Sequence, residues 1–414
     1  MNNILIKVRK LCSHKLNKFF PQRIPTMTNL QQKDRQYIAS TYARFPVEIA
    51  TGKGSEVYDT NGKRYIDMGS GIGVTSFGIA DDAWVAAVSA QLGRVQHMSN
   101  LYYTEPCANL AEMLCEKTGM SKVFFSNSGA EANECAIKVA RKYAAEHKGA
   151  DCYTIVTLEN SFHGRTLTTL AATGQDHYHE LFRPLTPGFV HVPAGDMDAL
   201  RALCESTKVA AVMIECIRGE GGVLPLEAEY AKALGEFVRE QDILLIVDEV
   251  QTGNGRTGAM YAYMNFGLTP DIVSTAKGLG GGLPLGATLL SAKVENTLGF
   301  GDHGSTFGGN PIACAGACSV VSRIDDALLA DVRRKGELVR SMLQGAKGIE
   351  SISGMGLMLG IKTEKPAGEV VRACMARGVL ALTAKDKVRL LPALNIPDDI
   401  LAEAVSVIKE VCAQ

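Results

Sequence analysis

A lysine set among glycines is the first group with evident chemistry. The apolar run Ile272-Val273-Ser274 leads through Thr275-Ala276 to Lys277, and Gly278-Leu279-Gly280-Gly281-Gly282 follows. Just past a buried strand, an ammonium with little to solvate it gives up its proton readily, and the neutral amine forms imines with carbonyls. A surface lysine in a flexible loop would not. A second strand, Ile243-Leu244-Leu245-Ile246-Val247, ends in Asp248-Glu249-Val250-Gln251. An acid at the carboxyl end of a buried parallel strand stands where α/β proteins bind ligands. There it can hold a metal, a ribose or a protonated ring nitrogen, or it can cap the next turn. Upstream, Val123-Phe124-Phe125-Ser126-Asn127-Ser128-Gly129-Ala130 reads as strand, small polar turn and helix start. Free N–H groups and the positive end of that helix make an anion site, and Gly129 lets the backbone come close. His303-Gly304-Ser305-Thr306-Phe307-Gly308-Gly309-Asn310-Pro311 is a second small-polar cluster able to donate to a phosphate. Ser161-Phe162-His163-Gly164-Arg165-Thr166 joins a ring that can stack on a planar group to an arginine that can bind a carboxylate. His163 could act as a base, but no serine or cysteine nucleophile motif accompanies it. His177-x-His179 lacks a third ligand, so no metal site is expected. Gly278-x-Gly280 fails the dinucleotide fingerprint at its last glycine.

These groups need a scaffold, and the apolar pattern supplies one. Helix-like segments at 81–93, 105–118, 130–147 and 228–240 alternate with short apolar runs at 123–125, 154–157, 210–214, 243–247, 271–274 and 286–291. Short strands without polar alternation, separated by helices, predict an α/β fold with a buried, mostly parallel sheet. An Asn61-Gly62 hairpin precedes this region. Helices at 311–323 and 326–346 follow it, and then an α/β tail with strands near 378–382 and 387–391. The expected organisation is a large domain at 76–304 and a smaller one built from 28–75 and 305–414.

Composition narrows the class. The chain of 414 residues has a net charge of −1 and 21% charged residues, which disfavours a nucleic-acid binder. No run of about 18 apolar residues predicts a membrane span. The 11 cysteines are odd in number and irregularly spaced, as expected of reduced thiols in the cytoplasm. Residues 1–26 carry Lys7, Arg9, Lys10, Lys15, Lys18 and Arg23 and no acid. The leader, taken as 1–27, reads as a disordered tail or as sequence upstream of a start at Met27. An organellar location would follow only if it acts as a transit peptide.

An imine-forming lysine, an acid for a pyridinium nitrogen, a phosphate cradle, a stacking ring and a carboxylate-binding arginine are together the parts of a pyridoxal 5'-phosphate enzyme. From about residue 36 onward the chain resembles the class III (ω-amino acid) aminotransferases, of pyridoxal-phosphate fold type I. The marks are Asn127–Glu134, Ser161–Thr166, Glu215 with Gly219-Glu220-Gly221-Gly222, Asp248–Gly253, Lys277 and the 303–311 cluster. Cys216, Arg218 and Ala393 stand where the class pattern has Pro, Gln and Pro. The resemblance implies that Lys277 holds the cofactor and shuttles a proton, that Asp248 keeps the ring nitrogen protonated, and that Gln251 meets the ring hydroxyl. It further implies phosphate contacts from Ser128, Gly129 and Ala130, stacking by Phe162, and a reach by Thr306 to the neighbouring subunit's phosphate, hence a homodimer with shared sites. For substrates it implies Arg165 and Arg389 as carboxylate ligands, Glu220 as the neutraliser of Arg389, and Tyr42 at the donor. His97–Pro106 and Val388–Pro392 are most similar to members acting on N2-acetyl-L-ornithine, with 2-oxoglutarate as acceptor, a step of arginine biosynthesis. Ornithine, succinylornithine or 4-aminobutyrate are alternative donors, and an aminomutase is a more remote alternative.

Overall fold

The structure, a computed structural model, describes residues 27–414, so the basic leader lies outside it but for Met27. The described chain forms two units, one ending at Glu48 and one spanning Ile49–Gln414. In the first, helix α1 (Asn29–Tyr37) starts at a capping box: Thr28 Oγ1 accepts the Gln31 N–H at 3.2 Å, and the Gln31 side chain accepts the Thr28 N–H at 3.4 Å.

The second unit opens with β1 (Ile49–Lys53), β2 (Glu56–Asp59) and β3 (Arg64–Asp67), joined as antiparallel neighbours. The β2–β3 turn is set by its sequence. Asp59 Oδ1 accepts the N–H groups of Asn61 and Lys63 at 2.8 and 2.9 Å, and Gly62 takes φ 79°.

Helices α2 (Asp82–Leu92) and α3 (Glu105–Thr118) lead to β4 (Lys122–Ser126) and α4 (Gly129–Lys148). Then come β5 (Thr154–Leu158), α5 (Leu167–Ala172), β6 (Phe189–Val192), α6 (Met197–Ser206), β7 (Val209–Ile214) and the small ribbon β8 (Ile217–Arg218) with β9 (Leu224–Pro225). Helix α7 (Ala228–Glu240), β10 (Leu244–Asp248), β11 (Ile272–Thr275) and β12 (Gly286–Leu290) complete the central layer. Its seven strands run β4-β12-β11-β10-β7-β5-β6. Only β12 is reversed, antiparallel to both neighbours, so β4 points the same way as the rest. Ten residues without a crossover helix separate β11 from β12, and such a short connection can only return antiparallel. Every residue of β5, β7, β10 and β11 is buried, which is why these strands show no polar alternation. One sheet face packs Ile155, Met213, Ile246 and Ile272 on α4. The other packs Val156, Val212, Leu245 and Val273 with Tyr230, Leu234 and Phe237 of α7.

Helix α8 (Pro311–Val321) joins this second core through Ala313, Cys314, Ala317, Val320 and Val321. The expected boundary at 304/305 thus precedes a helix that packs on the larger core. A separate core begins beyond it, from α9 (Asp326–Leu343), the sheet β13 (Ile349–Met355), β14 (Met358–Thr363), β17 (Lys387–Leu390) and β16 (Leu382–Ala384), and helices α10 (Ala367–Ala376) and α11 (Asp398–Ala413). Strand β15 (Val379–Leu380) pairs with β3, placing Ile66 and Met68 in that core. The C-terminal core of the second unit thus takes in Ile66 and Met68 from near that unit's start.

Candidate active site

The carboxyl ends of β4, β5, β7, β10 and β11 share one edge of the sheet, the edge where α/β folds gather ligand-binding groups. Ser126 ends β4, and Ser128 caps α4, its Oγ accepting the Glu131 N–H at 3.2 Å. The N–H groups of Gly129 and Ala130 open that helix of 20 residues and have no acceptor within it. A Cβ at Gly129 would come within 2.6 Å of Val250 Cγ1, so only glycine lets the helix start lie against the turn after Asp248. Asn127 donates from Nδ2 to Ser305 Oγ at 3.2 Å, which also accepts the Gly308 N–H at 2.9 Å. The second small-polar cluster thus adjoins the first. Its Thr306 and Phe307 are exposed.

Asp248 ends β10 and is buried. Its Oδ2 accepts from Asn133 Nδ2 and from His163 Nδ1, each at 2.8 Å, and its Oδ1 accepts the Val250 N–H at 3.0 Å. An ionised carboxylate is acceptor-only, so His163 carries its proton on Nδ1. The Asn133 amide is oriented by a second acceptor, the His163 carbonyl, at 2.7 Å.

Lys277 follows β11 in the left-handed region, φ 44°. A non-glycine residue there is held by its surroundings, because the conformation is unfavourable by about 1–3 kcal/mol. Burial lowers its ammonium pKa and the Arg389 charge acts the same way, against the opposing pull of Glu220, Asp248 and Glu215. The neutral amine is correspondingly easier to form.

Arg389, in β17, is 3% exposed. Its guanidinium forms an ion pair with Glu220 Oε1 and donates from Nη1 to Gln251 Oε1 at 3.0 Å. Gln251 donates in turn to Glu220 Oε1 at 3.2 Å. Burial disfavours the Glu220 anion, but Arg389 holds its carboxyl below the usual range. Arg165 is different. It is exposed, has no carboxylate partner among the described residues, and lies 5.0 Å from the Tyr178 ring centre and 5.5 Å from that of Phe162. The two rings meet edge-on, 5.7 Å apart. Tyr42 belongs to the first unit, where it is exposed beneath Arg44.

Sequence reasoning assigned no role to Asn133 or Glu215. Asn133 shares a helix stripe with Ile137, Ala140 and Ala144, all buried, and a polar residue within such a stripe was the available signal. Glu215, a mark of the resemblance with no role attached, follows the last residue of β7 much as Asp248 ends β10, and that strand-then-acid position was the available signal.

The aminotransferase class-III family profile matches residues 37–412. The chain is 50% identical to acetylornithine aminotransferase of Haemophilus ducreyi over 94% of its length and 100% of the relative's. The acetylornithine aminotransferase of Methanocaldococcus jannaschii is 41% identical, over 91% and 96%. The chain belongs to the class-III aminotransferases. Among solved structures, ornithine aminotransferase from Toxoplasma gondii, a crystal form of which carries PLP at partial occupancy, superposes with a TM-score of 0.88 at 32% identity, covering 94% of this chain and 95% of that one. N-acetylornithine aminotransferase from Stenotrophomonas maltophilia superposes with a TM-score of 0.79 at 34% identity, over 92% and 98%. As a member of this class, the chain is a pyridoxal-phosphate-dependent transaminase of fold type I. The residues present fit that cofactor: an anion-binding helix start, a buried carboxylate with its donors already in place, and an amine biased towards neutrality stand at one sheet edge.

Proposed function

We propose that this aminotransferase moves the δ-amino group of N2-acetyl-L-ornithine to 2-oxoglutarate, giving N-acetylglutamate 5-semialdehyde and L-glutamate, in arginine biosynthesis. The observation that carries this reading is the contrast between the two arginines: Arg165 has no acidic partner among the described residues, whereas Arg389 is buried with Glu220 and Gln251. Glutamate has two carboxylates, and acetylornithine one carboxylate and a neutral amide. With the donor bound, Arg165 takes the single carboxylate and Glu220 keeps Arg389 neutralised. With glutamate bound, Glu220 withdraws and both arginines are engaged. A buried guanidinium left bare in either state would be strongly unfavourable.

Pyridoxal phosphate supplies an electron sink for the carbanion formed when the substrate loses its proton. Ser128, Gly129 and Ala130 would bind its phosphate, Phe162 would stack on its ring, Gln251 would meet the ring hydroxyl, and Asp248 would hold the proton on the ring nitrogen. Lys277 would hold it covalently, and its Nζ, once released, would take the proton from the substrate's δ-carbon and pass it to the cofactor's C4′ carbon, with the reverse transfer to the α-carbon in the glutamate half-reaction.

Partner and location belong to the same reading. Thr306 would complete the phosphate site of a second copy, and the exposed Leu101, Tyr103, Phe300 and Phe307 are apolar surface of the kind that pairing covers. The chain would work in the cytoplasm, in keeping with the ten cysteines among the described residues, all free. No described helix is long and apolar enough to cross a membrane.

The test is a donor panel with 2-oxoglutarate as acceptor. Acetylornithine should have the highest kcat/KM, ahead of ornithine, succinylornithine and 4-aminobutyrate. Another donor in first place overturns the substrate assignment. Turnover without any oxo acid would point to an aminomutase.

A further inference from the structure

Glu215 is 5% exposed and follows Ile214, the last residue of β7. Its two oxygens serve different loops. Oε2 accepts the Phe162 N–H at 2.9 Å, and Oε1 accepts the Gly219 N–H at 3.3 Å. The first loop holds the ring beside Arg165. Its next residue, His163, donates its N–H to Thr173 Oγ1 at 2.9 Å and its side-chain proton to Asp248. The second loop leads directly to Glu220. Gly219 is packed so tightly against the Gln251 amide that any Cβ would collide with it, and Gln251 bridges Glu220 and Arg389.

We infer that Glu215 is a positioning residue whose one carboxylate clamps the Phe162 loop and the Glu220 loop to a common buried point, so that ring stacking and carboxylate switching share an anchor. This rests on the roles given above to Phe162 and Glu220. Both partners are donors, so both oxygens must be acceptors. The ionised acid meets that condition fully; an amide turns a donor towards a donor, and a protonated carboxyl leaves its hydroxyl oxygen a much weaker acceptor. Burial is the main influence on the Glu215 carboxyl and raises its pKa. His163 and the two N–H groups oppose this, and the Asp248 charge adds to it. Lys277 and Arg218 are the other charges coupled to it. The clamp therefore weakens as protons are added.

The test uses the holoenzyme and its Glu215→Gln variant. Deuterium uptake in segments 159–164 and 216–221 should rise together, by about tenfold in rate, because one buried bond to a charged group is lost from a shared anchor. Cofactor should dissociate about tenfold faster from the variant at a pH well above the Glu215 ionisation, which burial lifts to about 7. In the wild type that dissociation should quicken as pH falls through the ionisation of Glu215, and the variant should lose this dependence. Uptake that changes in one segment only, or in neither, overturns the clamp. So does a variant that keeps the wild-type pH dependence. If Glu215→Gln does not accumulate as folded protein, Glu215→Asp keeps the charge but is too short to reach both N–H groups, and the same joint rise is expected. These readouts involve no substrate, so a failed donor panel and a failed clamp are separate results.

Discussion

Arg389 and Glu220 are paired in a site where the arginine is almost wholly withdrawn from solvent, and the Arg389 Nε is buried with no acceptor among the described residues. The pair is thus incomplete on one side: the guanidinium retains a buried donor that an incoming carboxylate can satisfy. A salt bridge built purely for stability would saturate both partners.

Arg389→Ala should therefore affect the two half-reactions unequally. The glutamate half-reaction should lose about 2–4 kcal/mol of binding, a factor of roughly 30 to 1,000. The acetylornithine half-reaction should change much less, whereas Arg165→Ala should damage both. Single-turnover kinetics from each side decide the matter, and equal damage to both halves by Arg389→Ala would rule the switch out.

Lys277→Ala should retain the cofactor through its phosphate contacts yet lose the covalent attachment and its visible absorption band. Borohydride treatment of the wild type, followed by peptide mapping, should tag Lys277. A tag on any other lysine refutes the assignment.

Asp248→Ala should slow proton removal from the substrate by at least ~10²-fold, since a preorganised charge in a water-poor site contributes several kcal/mol at about 1.4 kcal/mol per decade. Stopped-flow measurement of single turnover gives that rate directly. A near-normal value would remove Asp248 from the mechanism.

How far the sequence showed all this depended on whether a residue's role lay in local spacing. The strand-then-charge pattern at Asp248, the glycine-flanked Lys277 and the strand–turn–helix at Ser128 are contiguous signals. The structure places all three at one sheet edge. The central strands were readable because burial on both faces leaves an unbroken apolar run. The reversal of β12 was readable only from the short connection before it. Arg389 and Glu220, 169 residues apart, were linked by resemblance rather than by pattern, because no local rule specifies a contact at that separation. Asn133 and Glu215 escaped for a similar reason: each acts on backbone or carboxylate groups brought by other strands, so its role exists only once the sheet has formed.

The charges around Lys277 allow one more prediction, in which two substitutions should act in opposite directions. Burial and Arg389 lower the Lys277 pKa from the ordinary value of 10.5, whereas Glu220 and Asp248 raise it. Capture of the cofactor aldehyde by the apoenzyme requires the neutral amine, so its rate should rise with pH and level off below the pH at which an ordinary lysine would. Glu220→Gln removes a negative charge that favours the ammonium and also leaves Arg389 unneutralised. Both changes favour the neutral amine, so the plateau should be reached at lower pH. Arg389→Ala removes a positive charge that disfavours the ammonium, so the plateau should move to higher pH. Stopped-flow absorbance of pyridoxal phosphate binding to each apoenzyme across a pH series gives the three midpoints. Midpoints that shift in the same direction, or not at all, would show that these side chains do not set the protonation of Lys277.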